Sequence, residues 1–379
     1  MKSLKPILIS VFITLALLEI GTRFILTESN GHEYVLGKKT KYILPIQYQD
    51  SKKPTTQTDG YRIYDSLLGW SHGKWKQDGI YFSDSNGFRC SEEDFKAKIK
   101  TQNHYDIICI GDSFTHGDAV VYEDTWPAIL SKKTNRSVLN MGSGGYGIDQ
   151  ALLRFMNNEI TCDTIIFGLV SGDLERSLST VYSYYGGGVK TKPRFKFEEN
   201  SNKYSLINVP CVKPIEFVSR PVSERARVVY ENIEGYNNYL ELEDKIWTKS
   251  AFLRLLYSTK EQVKHRKPPV YMNDNEDFKY CLKIFSTFKA FCEAKNIVPI
   301  VVLIDNNNSF GDRSTANTNT WNLLKTNLES MNLKTVEFQD DFYKAYNQKK
   351  SNVIHATEGV HFSPEGNELL ATKLYNYFK

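Results

Sequence analysis

The sequence predicts an α/β fold, a parallel sheet with helices on both faces. Two observations carry this. From Asp106 onward, apolar strand-like runs alternate with amphipathic helical stretches, which is the rhythm of βαβ units. Three of those runs, ending near Ile110, Met141 and Val170, are each followed by a glycine-bearing turn. That puts three loops at the carboxyl edge of the sheet, where such sheets bind ligands.

A chain of 379 residues, 41% of them hydrophobic, can bury a full core as one large domain with additions. The net charge of +4 is small and Lys and Arg are scattered, which gives no reason to expect nucleic acid as a partner.

In chain order, Lys2 and Lys5 precede an uncharged run from Pro6 to Leu18, continued by Glu19-Ile20-Gly21-Thr22-Arg23-Phe24-Ile25-Leu26. Counted to Leu26, the stretch has the roughly 20 residues that span a bilayer. Glu19 and Arg23, four apart on a helix, can partly neutralise each other. No small-x-small cleavage pattern follows. Residues 1–26 therefore read as a signal anchor that engages the cytoplasmic membrane through residues 6–26, with the remaining chain outside. A cleaved signal peptide is the alternative, and export follows from both.

Residues 27–104 are polar and aromatic with little helical period and read as a β-rich N-terminal extension. Residues 105–379 form the main domain. Its strands are expected at 106–110, 137–141, 164–170, 297–304 and 333–338. A helix from Glu276 to Lys295 carries Phe278, Cys281, Leu282, Phe285, Phe288 and Cys292 at three- and four-residue steps. The stretch from about 175 to 275 breaks the rhythm and reads as an inserted cap, a hairpin followed by helices. Tyr182, Tyr184 and Tyr185 within it are candidates for stacking on sugar rings, or for ordinary packing. Six cysteines show no Cys-x-x-Cys and no metal-type spacing. Neither a metal nor a cofactor is expected, and a disulfide is not implied.

The chemistry begins at Gly111-Asp112-Ser113-Phe114-Thr115-His116-Gly117, directly after the first strand. A serine on a sharp turn there is a candidate nucleophile, which needs a base and backbone N–H groups aimed at a developing oxyanion. Near the C-terminus, Glu358-Gly359-Val360-His361-Phe362-Ser363-Pro364-Glu365 offers a base. Ser363 reads as an N-cap with Pro364 at the first helical position, so His361 sits on a loop held by a helix start. Glu358 can accept its Nδ1–H and leave Nε2 free. His116 and His355 are rival bases.

These two segments resemble the SGNH/GDSL hydrolase family, whose nucleophile lies in an early Gly-Asp-Ser block and whose Asp-x-x-His lies near the C-terminus. Asn140-Met141-Gly142-Ser143-Gly144-Gly145-Tyr146-Gly147 is similar to the family's second block, and the prelude Tyr64–Trp70 and Ser85–Arg89 resembles that of exported members. The resemblance implies a flavodoxin-like three-layer parallel sheet, the SGNH hydrolase fold, and a serine esterase. Its catalytic residues would be Ser113, His361 and Glu358, with the N–H groups of Ser113 and Gly145 (or, second, Gly142) in the oxyanion hole and His116 and Asp173 as candidate substrate contacts.

The third block departs from the family. Where the family has Gly-x-Asn-Asp, with the Asn amide as a third oxyanion donor, this chain has Ser171-Gly172-Asp173. Losing one donor typically costs about 10²- to 10³-fold in kcat. The implied activity is hydrolysis of O-acyl groups on envelope carbohydrate or another small ester. An O-acyltransferase for a cell-surface glycan and an impaired binding protein are the alternatives.

Overall fold

The computed structural model describes residues 4–29, 32–36, 38–39, 60–183, 190–199, 201, 203–219, 246–264, 270, 274–304, 321–349, 354–357 and 359–379. Glu358, Tyr184 and Tyr185, expected to bear on function, lie outside the described residues, as do 220–245 of the expected cap. The chain divides into two compact units, one of residues 1–55, 183–190 and 214–267, the other of 56–182, 191–213 and 268–379.

In the first unit, helix α1 (Leu4–Ile25) has 22 residues, about 33 Å at 1.5 Å per residue. It is long and apolar enough to cross a membrane. Ile7, Leu8, Phe12, Leu17 and Phe24 are exposed along it. Its single acid is internally satisfied. The Glu19 carboxylate accepts from Arg23 Nε at 2.8 Å, Ser250 Oγ at 2.7 Å, and the backbone N–H groups of Ala251 and Phe252, each at 3.0 Å. Glu19 thus caps the helix Ala251–Lys264, supplying an anion where the first N–H groups have no partner within the helix.

The second unit is built on an eight-stranded sheet. Its strands are β1 (Gln77–Asp78), β2 (Tyr81–Ser83), β3 (Arg89–Cys90), β4 (His104–Gly111), β5 (Val138–Asn140), β6 (Thr161–Val170), β7 (Val298–Ile304) and β8 (Lys334–Glu337). Their order is β8-β7-β6-β4-β5-β3-β2-β1. The last five strands in sequence pair in parallel. They sit at the five expected positions and take the spatial order 2-1-3-4-5, whose topological switch point lies between β4 and β6.

Residues 77–90 join this same sheet. Asn140 of β5 pairs antiparallel with Arg89, so β5, only three residues long, has its outer edge covered by part of the N-terminal segment.

The two faces follow the strand period of two. Ile108, Ile110, Ile165, Phe167, Leu169, Val301 and Leu303 share one core with helices α4 (Ile148–Met156), α6 (Glu276–Ala294) and α7 (Asn322–Ser330). Ile107, Cys109, Ile166, Val170, Ile300, Val302 and Ile304 share the other with α3 (Trp126–Thr134), α8 (Gln339–Lys349) and α9 (Pro364–Phe378). Both faces are dry, which is why these strands read as continuous apolar runs. The remaining helices of this unit that matter here are the short turns α2 (Ser113–His116) and α5 (Ser171–Arg176), each starting where a central strand ends. A hairpin, Arg194–Phe197 with Tyr204–Ile207, buries Phe195 in the first core. All six cysteines are free and buried, so they act as small core side chains.

Candidate active site

Ser113 lies at the switch point, at the first position of α2 immediately beyond β4. Asp112 is the N-cap, its Oδ1 accepting from Phe114 N at 2.9 Å, and Gly117 ends the turn with φ +79°. The turn is therefore a one-turn helix held at both ends, and Ser113 is 8% exposed. Its Oγ donates to Asp112 Oδ2 at 3.4 Å.

The second block packs backbone to backbone against this turn. Ser143 N donates to Gly111 O at 3.1 Å, and a Cβ on Gly142 would fall 2.3 Å from His116 N. Asn140 ties the two loops together, its Nδ2 donating to Thr115 O at 2.8 Å and its Oδ1 accepting from Gly142 N at 3.0 Å. Gly144 lies beside the serine: a Cβ there would be 3.8 Å from Ser113 Cβ. Trp70 Nε1 holds Gly144 O at 3.0 Å, and the rings of Trp70 and Tyr182 lie 5.1 Å apart. Tyr182 covers Gly145, where a Cβ would meet its Cζ at 2.6 Å. Among the described residues, nothing accepts from the N–H of Ser113 or of Gly145. Unspent donors beside a serine are what an oxyanion requires.

The C-terminal loop reaches the same edge. Ser363 caps α9, accepting from Gly366 N at 3.2 Å, with Pro364 in the first turn. His361, two residues earlier and partly exposed, packs its ring 5.2 Å from that of Phe114, the neighbour of Ser113.

The other two histidines considered as bases are occupied. His355 is buried with its ring among those of Phe342, Tyr346 and Phe362. His116 is fully buried, with Nδ1 2.5 Å from Asp118 Oδ1 and Nε2 2.6 Å from Tyr61 Oη. Burial pushes the Asp118 carboxyl up, but the His116 hydrogen bond and the nearby Arg62 and His361 bring it below its usual value. Asp118 is therefore an acceptor, Nδ1 carries the proton, and Nε2 accepts from Tyr61, whose hydroxyl burial keeps protonated. This Tyr61-His116-Asp118 chain was not legible in the sequence, because Tyr61 is remote from the motif.

Burial lowers the pKa of His116 despite Asp118, and His72, also fully buried, is pushed well below the usual value by burial. As pH falls below about 6.5, the unfolded chain takes up protons that the folded chain refuses, so stability declines. The unfolding midpoint in urea is expected to fall between pH 7.5 and pH 5.5, and less steeply in His116→Gln.

On the third loop, Gly172 and Asp173 lie in the first turn of α5. Asp173 is buried, its Oδ2 accepting from Val170 N at 3.1 Å and its Oδ1 from Arg176 Nη1 at 2.6 Å. Burial and the neighbouring Asp112 carboxylate raise its pKa well above the usual range. His116 and Asp173 both spend their polar atoms inside the protein. Arg176, which the sequence reading did not single out, also binds Asp112 Oδ2 at 2.9 Å and Tyr146 O at 3.1 Å.

No family model matches the chain, and no curated protein matches it. Solved structures do. A member of the lipolytic protein G-D-S-L family from Veillonella parvula is 16% identical over 72% of this chain and 97% of its own, with a TM-score of 0.33. A lipase/acylhydrolase from Enterococcus faecalis is 12% identical over 73% and 95%, TM-score 0.34. An acetyl xylan esterase from Butyrivibrio proteoclasticus is 10% identical over 72% and 62%, TM-score 0.32. At such values the reaction has to be read from this chain's own residues. What those residues build is an α/β fold with a 2-1-3-4-5 parallel sheet and a Gly-Asp-Ser turn at its switch point, the arrangement implied by the SGNH/GDSL resemblance.

Proposed function

We propose that this chain is a serine esterase of the SGNH type, anchored by α1 and acting outside the cytoplasm on O-acyl groups of envelope carbohydrate. The observation that carries the reading is the position of Ser113, on a capped turn beyond the first parallel strand with two unspent backbone donors and with the His361 ring packed against its neighbour Phe114. Ser113 Oγ attacks the ester carbonyl while His361 takes its proton and Glu358 orients the imidazole. The tetrahedral oxyanion lies against the N–H groups of Ser113 and Gly145. It collapses as the proton passes to the leaving alcohol, which leaves an acyl-serine. Water then attacks that ester and restores the serine.

A carbohydrate alcohol is favoured by the exposed Tyr182 ring over Gly145, backed by the buried Trp70, since a flat aromatic face suits a sugar ring. In a second reading a sugar hydroxyl takes the place of water in attacking the acyl-serine, and the enzyme is an O-acyltransferase.

A fluorophosphonate probe on the full-length chain in detergent tests the class. Its mass is expected on the peptide carrying Ser113 and to be absent in Ser113→Ala. Equal labelling of both, with neither hydrolysis of an aryl acetate nor acetyl transfer to a glycan acceptor, would end both readings.

A further inference from the structure

Gly172 leaves room for a side chain, and that room is filled. A Cβ built on Gly172 would have Arg176 Nη2, Cζ and Nε as its three nearest neighbours, at 3.5, 3.7 and 3.9 Å. The two residues are four apart on α5, so the guanidinium folds back along the helix over the position where the resemblance places a side-chain amide. We propose that Arg176 supplies the oxyanion donor that residue 172 lacks.

The guanidinium is fixed through one nitrogen. Nη1 serves Asp173 Oδ1, Asp112 Oδ2 and Tyr146 O, while no described residue accepts from Nη2. Asp112 Oδ2 also accepts from Ser113 Oγ, so a single carboxylate oxygen separates the guanidinium from the nucleophile. Tyr182 lies on the same side, its ring centroid 5.9 Å from Arg176 Cζ. The side chain is 28% exposed, so the guanidinium is anchored through Nη1 without being sealed from solvent. Burial alone would lower the Arg176 pKa, but the Asp173 and Asp112 carboxylates outweigh it and hold the cation. A guanidinium brings an oxyanion a fixed positive charge and a planar fork of N–H donors where a neutral amide brings only the donor, which suits a loop that has lost its amide.

This inference rests on the esterase reading, and the test separates the two. Arg176→Lys keeps a cation between Asp112 and Asp173 but brings one nitrogen where arginine brings two. In the full-length chain, its kcat for an aryl acetate is expected to fall about 10²- to 10³-fold, with KM and the unfolding midpoint nearly unchanged. Adding Gly172→Asn to Arg176→Lys should restore at least about tenfold, because the amide then reaches the vacated place. Arg176→Lys with wild-type kcat would overturn the proposal, and so would a loss that Gly172→Asn does not restore. Wild-type turnover no higher than that of Ser113→Ala would sink the esterase reading and take this one with it.

Discussion

Ser113→Ala is expected to lower kcat for an aryl acetate by about 10⁴- to 10⁶-fold, while leaving the unfolding midpoint of the full-length chain nearly unchanged. The catalytic loss is large because acyl transfer through a covalent intermediate has no substitute for the attacking oxygen. The structural loss is small because the turn does not depend on that oxygen. Asp112 caps Phe114 N, Gly117 N and Asp118 N both donate to Ser113 O, and Ser113 Oγ contributes only a 3.4 Å bond to Asp112. His361→Ala should show a comparable loss, and the double variant should be no worse than either single one, since residues that act as a unit are not additive. Steady-state kinetics on the three variants, beside urea unfolding, decide the matter. Wild-type activity in His361→Ala would remove the proposed base, and neither His116 nor His355 is placed to replace it.

Gly111→Ala is expected to be among the most destabilising small substitutions in the chain. Gly111 has φ +150°, and a Cβ there would fall 2.4 Å from both Gly168 O and Thr115 Oγ1. The first of these is backbone of β6 at the register pair Gly168 to Gly111, so the clash can be relieved only by separating the two central strands. Backbone strain of about 1–3 kcal/mol adds to an overpacking cost of about 1–3 kcal/mol. The sum is a large part of an ordinary domain's stability of about 5–15 kcal/mol. Gly359→Ala is the control. It too has positive φ, +79°, but nothing lies within 4 Å of its Cβ position, so only the backbone strain remains. Urea midpoints for the two variants should differ by the packing term. Equal midpoints would mean that the β4–β6 contact is not tight.

The extent to which the site could be read in advance followed the range of the forces involved. The five parallel strands were legible because burial on both faces writes itself as a run of apolar residues. The start of α9 was legible because an N-cap serine and a first-turn proline are local chemistry, and the Ser363 side chain does cap Gly366 N. Glu19 and Arg23 were paired by helical spacing alone, and they bond at 2.8 Å. The further bond from Glu19 to the start of Ala251–Lys264 was not legible, because those partners lie 231 to 233 residues away. The same limit hid the entry of residues 77–90 into the central sheet, since β3 meets β5 through a single register pair.

At the site itself, the sequence alone determined the α/β sheet, the serine turn at its carboxyl edge and the absence of a side chain at residue 172. Each is encoded by neighbours along the chain, through periodicity, capping or residue identity. The tertiary structure alone decided that His116 is locked between Tyr61 and Asp118, that the His361 ring lies against Phe114, and that a guanidinium fills the space beside Gly172. Those outcomes depend on buried charges and rings finding partners across the fold. No local pattern specifies such a partner, because a buried polar group is satisfied by whatever side chain the packed core brings within hydrogen-bond reach.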